Sequence, residues 1–270
     1  MKFKIINQLS KQCSIFVVAL LLSFFTATVT AAGGESIYPN DPANINLRDT
    51  ASLQRGAQLY MNYCVGCHSL SYQRYNRLGR DLGLTDDEVR DNLIFTTDES
   101  GEPTKVGDLI KTAMTNDYAR QAFGVVPPDL SLTVRAKGGP DWLYNYLRAF
   151  YVDESRPMGV NNGVFANVGM PHVLWPLQGL QRPVYETYTD AEGQSHERIA
   201  GYELIEQGSM TPAEYDIAIR DITGFLTYVA EPAKLSRIKT GIYVIIFLLI
   251  FAALSYMLKN EYWADVKHKK

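Results

Sequence analysis

Cysteine and histidine are scarce: the chain has 3 Cys and 4 His in 270 residues. That leaves no framework of several disulfides, and too few thiols for a cysteine-rich zinc site. There is no internal repeat and no low-complexity tract. A Gly-rich phosphate loop is missing, as is any run of strands alternating with helices, so a parallel-sheet nucleotide-binding fold is excluded. The long central part is poor in positive charge. Between Gly33 and Pro232 there are 16 Lys and Arg against 27 Asp and Glu, a net of −11. Such a surface repels nucleic acid and favours basic partners.

Long apolar runs are confined to the two ends. Near the start, Lys2, Lys4 and Lys11 precede an apolar stretch from Ile15 to Phe25, followed by small residues up to Ala31 and Ala32. This order predicts a cleaved export signal over residues 1–32, of bacterial type because the basic part holds Lys and no Arg. At the other end, Gly241 to Leu258 carries no charged residue. Flanked by Tyr243, Tyr256, Tyr262 and Trp263, it predicts one transmembrane helix over 237–258. Lys259, Lys267, Lys269 and Lys270 then place a tail, 259–270, on the cytoplasmic side. The soluble part, 33–236, falls in the periplasm.

Within that part, helices are expected over Ala51–Tyr63, Thr85–Asn92, Asp108–Asp117, Asp141–Tyr151 and Thr211–Val229. Thr85 with Glu88, and Thr211 with Glu214, have capping-box spacing, and Pro212 suits a first helical position. The stretch from Pro157 to Arg198 carries few regular signals and reads as a long irregular connection. The domain is therefore expected to be mostly helical.

Cys64-Val65-Gly66-Cys67-His68 carries the chemistry. The pattern C-x-x-C-H is that of c-type haem attachment. Two thiols at this spacing reach the two vinyl groups on one side of a porphyrin, and the next residue presents an imidazole to the iron. A thioredoxin-like site would need a preceding strand and a βαβ context, which are missing. Cys13 falls in the signal segment. The second axial ligand must come from elsewhere, and the residues alone leave Met170, Met158 and His172 as candidates. A thioether ligand would favour the ferrous state and a high potential.

Four blocks occur in order: Tyr63 to Leu70 (Y-C-V-G-C-H-S-L), Pro127 to Ser131 (P-P-D-L-S), Asn167 to His172 (N-V-G-M-P-H) and Glu261 to Asp265 (E-Y-W-A-D). Together they resemble the cytochrome c1 family, the haem c subunit of ubiquinol–cytochrome c reductase. The resemblance implies an all-α, class I cytochrome c-like haem domain with large loop insertions, and packing of the Ala51 helix on the Thr211 helix. It implies one covalent haem c on Cys64 and Cys67, iron ligation by His68 and Met170, and a haem propionate near Arg135 and Lys137. Lys137 stands where many relatives have Arg. The implied function is single-electron transfer from a Rieske iron–sulfur protein to a c-type cytochrome, beside cytochrome b in a dimeric complex of the bacterial inner membrane. The chain itself would perform no bond chemistry on a substrate.

Overall fold

The computed structural model describes residues 40–98, 100–190 and 193–268. The expected signal segment, 1–32, lies outside the described residues.

Two helices form the frame. Helix α1, Thr50–Tyr63, starts at Asp49, whose carboxylate accepts from the Ser52 amide at 3.0 Å. Its buried residues are Leu53, Gly56, Ala57, Tyr60 and Met61, the i, i+3, i+4, i+7, i+8 stripe of an amphipathic helix. This stripe packs on α8, Pro212–Ala230, which opens with the complete Thr211–Glu214 capping box and Pro212 in its first turn. Gly56 makes the approach possible: a Cβ there would collide with the Asp221 carbonyl. Asp221 ties the crossing together. It accepts from Ser52 Oγ at 2.5 Å and from Arg55 Nε and Nη2 at 2.6 and 3.0 Å. The α1–α8 packing expected from the resemblance is thus present.

The intervening elements wrap this pair. Strand β1, Leu70–Arg74, leads into α2, Tyr75–Leu82, and α3, Asp86–Leu93. The expected Thr85–Glu88 capping box is formed, and Asp86, Asp87 and Glu88 occupy the first turn of α3, where they suit the helix dipole. The region expected as a helix over Asp108–Asp117 is not one. Leu109–Ile110 forms β2, antiparallel to β1 with Ile110 opposite Leu70, and helix α4 starts only at Asn116 and runs to Phe123. Burial of both Leu70 and Ile110 outweighs the local helical pattern.

Helix α5, Thr133–Ala136, and α6, Pro140–Arg148, follow. The helix expected up to Tyr151 stops at Arg148, because Phe150–Val152 is strand β3, paired with β4, Val160–Asn162. After the short α7, Trp175–Gln178, a hairpin forms from β5, Gly179–Thr189, and β6, Ser195–Gln207. The chain is mostly helical, but these three antiparallel pairs show that an all-α description is too narrow. The hairpin was hidden because most of its residues are exposed on both faces, so no alternation of apolar and polar residues marks it.

Helix α9, Lys234–His268, is long and apolar enough from Lys234 to Ala264 to cross a membrane, with a mean hydropathy of 2.5 in its apolar window. None of that window is buried within the chain. A helix that is apolar all round and unburied has lipid as its natural solvent.

Candidate haem-attachment site

The C-x-x-C-H segment continues α1 as a tight turn. Cys64 N–H donates to the Tyr60 carbonyl at 2.9 Å, and the amides of Cys67 and His68 both donate to the Cys64 carbonyl, at 3.1 and 2.9 Å. Both cysteines are free thiols. Burial, with a contribution from Cys67, pushes the Cys64 thiol up to about 12; burial raises Cys67 as well. These are protonated thiols at neutral pH, unlike the acidified thiolate of a redox dithiol. Among the described residues no group of three or more His, Cys, Asp or Glu is arranged to hold a metal ion.

His68 is anchored at both ends. Its carbonyl accepts from the Tyr60 hydroxyl at 2.5 Å, and its ring Nδ1 lies 2.7 Å from the Pro128 carbonyl oxygen. A carbonyl only accepts, so Nδ1 carries the proton and Nε2 keeps its lone pair for a metal. Burial lowers the imidazole pKa, and the Pro128 carbonyl and Asp129 oppose it; the net is a ring favouring the neutral, ligating form.

The Pro127–Ser131 block is bound to the segment after His68. Leu130 N–H donates to the Ser69 carbonyl at 2.9 Å. The two Asp129 oxygens accept from the amides of Ser71 and Ser131, each at 2.8 Å. Partial burial pushes the Asp129 carboxyl up, but the bonds from Ser131 and Ser71 outweigh it and leave its pKa lowered. Asp129 is therefore a staple between two loops. Met114, expected on a helix face, lies before α4 and lines a concavity beside Cys67 with Thr112, Val126 and Pro127.

The three candidate sixth ligands converge on one small apolar cluster. Met158 and Met170 pack against Phe150, Val160 and Val168, and His172 stacks on Phe150 at 4.9 Å and 3°. Burial pushes His172 down to about 4 despite a contribution from Gln178, so it is neutral, and its Nε2 is buried without a hydrogen-bond partner. The loop carrying Met170 is shaped by two buried asparagines. Asn162 Oδ1 accepts from the amides of Val164 and Phe165 at 2.9 and 3.1 Å, and Asn161 Oδ1 from Asn167 at 2.9 Å. The Tyr146 hydroxyl donates to Met170 Sδ at 3.5 Å, and burial raises its pKa so that it keeps its proton.

Arg135 is exposed on α5 and has no carboxylate partner among the described residues. Lys137 Nζ lies 5.3 Å from the Phe165 ring centre and 6.0 Å from that of Trp142, so it is engaged with aromatic faces beside the Met170 loop. The sequence reading missed Tyr146, Asn161, Asn162 and the Pro128 carbonyl. The paired Asn161-Asn162 was a visible signal; a main-chain acceptor has none.

These residues suit a covalently held haem: two free thiols, an imidazole with one nitrogen held and the other available, and an arginine without a protein counter-charge. Together with the single apolar helix, they define a membrane-anchored c-type cytochrome. Comparison makes the assignment specific. The model for the Cytochrome C1 family matches residues 43–266, so the chain belongs to the cytochrome c1 family. It is 51% identical over 252 residues to cytochrome c1 of Allochromatium vinosum, covering 93% of this chain and 98% of that one. It is 41% identical over 247 residues to a protein named ammonia monooxygenase gamma subunit in Nitrosomonas europaea, covering 92% and 97%. The mitochondrial cytochrome c1 heme protein of Saccharomyces cerevisiae is 31% identical over 234 residues, covering 82% of this chain and 69% of that one. The chain is a haem c, electron-transfer subunit of the cytochrome bc1 type.

Proposed function

We propose that Cys64 and Cys67 hold haem c by thioether bonds, and that His68 Nε2 and Met170 Sδ ligate its iron. When bound, haem c supplies a one-electron couple. The chain's residues set its surroundings. Tyr60 and Pro128 aim His68, Asn161 and Asn162 shape the loop of Met170, and Arg135 faces a propionate. Lys137, engaged with Phe165 and Trp142, is a weaker propionate partner than the resemblance implies. The observation that carries this reading is the 2.7 Å bond from His68 to Pro128, which leaves one ring nitrogen available to a metal.

In this reading the chain accepts electrons from a Rieske iron–sulfur protein and passes them to a c-type cytochrome, beside cytochrome b in a dimeric complex. The core is a class I cytochrome c-like unit of α1, α6 and α8 with the β5–β6 hairpin as an insertion. Residues 1–32 are removed on export, 33–236 lie in the periplasm, 237–258 span the membrane and 259–270 face the cytoplasm. Detergent-solubilised membranes supply the test. The chain should keep its haem through a denaturing gel and co-purify with a b-type cytochrome and an iron–sulfur protein. Haem lost to acid–acetone overturns the attachment. Co-purification with monooxygenase subunits instead overturns the assignment of the complex.

A further inference from the structure

Tyr146 is used by nothing described so far. It sits in α6 with its ring stacked on Trp142 at 5.0 Å and 10°, and edge-on to Phe150 at 5.3 Å and 70°. Its carbonyl accepts from Asn162 Nδ2 at 2.8 Å, linking it to the asparagine that shapes the Met170 loop. The ring packs both against the main core and against the cluster of Met158 and Met170. Phenylalanine would fill the same space. The hydroxyl adds one thing: a hydrogen bond at 3.5 Å to Met170 Sδ.

A thioether sulfur has two lone pairs and is a weak acceptor. An O–H donated to one leaves the other for iron and fixes which way it points. It also draws electron density from the sulfur. A poorer donor stabilises ferric iron less than ferrous iron, so the couple moves to higher potential. In an apolar cluster this polarisation is little damped by solvent.

We propose that Tyr146 is a positioning residue for the sixth ligand: its hydroxyl orients Met170 Sδ and weakens it as a donor, holding the haem potential high. The proposal rests on the reading of Met170 as that ligand, and the experiment separates the two.

Three variants of the full-length, haem-loaded protein are compared in detergent: Tyr146→Phe, Trp142→Phe and Met170→Leu. Tyr146→Phe should keep the thioether-to-ferric charge-transfer absorption and shift the ferric/ferrous equilibrium several-fold towards ferric, a tenfold shift being 59 mV for one electron. Trp142→Phe, which keeps the hydroxyl, should shift it less. An unchanged potential in Tyr146→Phe overturns the proposal. So does an equal shift in Trp142→Phe, which assigns the effect to packing, or loss of the charge-transfer absorption in Tyr146→Phe, which makes the hydroxyl a structural prop. If Met170→Leu itself keeps that absorption and the wild-type potential, the ligand reading fails first and the proposal falls with it.

Discussion

His68 donates its ring Nδ1–H to the carbonyl of Pro128 at 2.7 Å, across 60 positions of sequence. One bond thereby sets the tautomer and rotation of the imidazole. The Pro127–Ser131 block matters to the site through its backbone, and Asp129 holds that backbone in place.

Asp129→Asn should therefore loosen the block. Its two amide bonds contribute about 1–3 kcal/mol, discounted for partial exposure. The pKa of Asp129 is lowered in the fold, so its contribution is fully present above the unfolded value of about 4 and is lost as pH falls through the folded value. Denaturant titrations of both proteins should differ at pH 7 and converge below pH 4. An equal difference at all pH values would show that the charge is not what matters.

Met170→Leu should open a coordination position and lower the reduction potential, within the ~0.8 V over which axial ligands set haem potentials. Met158→Leu, a volume-conserving change in the same cluster, should cost less than about 1.5 kcal/mol and leave the potential near wild type. Redox titration of the two variants decides; the reverse pattern would move the ligand to Met158.

Gly56→Ala tests the helix crossing. The new methyl meets the Asp221 carbonyl and Phe225 Cβ, so the helices must separate. Overpacking of this kind costs about 1–3 kcal/mol. Thermal unfolding should show a lower midpoint. An unchanged midpoint would mean that α1 and α8 part more easily than their packing suggests.

Ending the chain after Ala233 removes α9 and leaves the core helices intact, since the apolar window of α9 is unburied within the chain. The product should be soluble and haem-loaded. Sedimentation with membranes in high salt would reveal a second anchor.

Local chemistry was legible in the residues themselves. Both capping boxes formed where Thr85–Glu88 and Thr211–Glu214 predicted them, because a cap depends on side chains three positions apart. The C-x-x-C-H turn is equally local, and the apolar helix follows from composition alone. The tertiary structure decided what depends on distant partners. It turned Leu109–Ile110 into a strand opposite Leu70, where two separated apolar segments could be buried together. It folded 179–207 into a hairpin whose exposed faces leave no periodic trace. It gathered Met158, Met170 and His172 around Phe150, a convergence that spacing could not foresee. It also supplied the Pro128 carbonyl to His68. Every residue carries such a carbonyl, and only the packing of one loop on another selects which of them meets the imidazole.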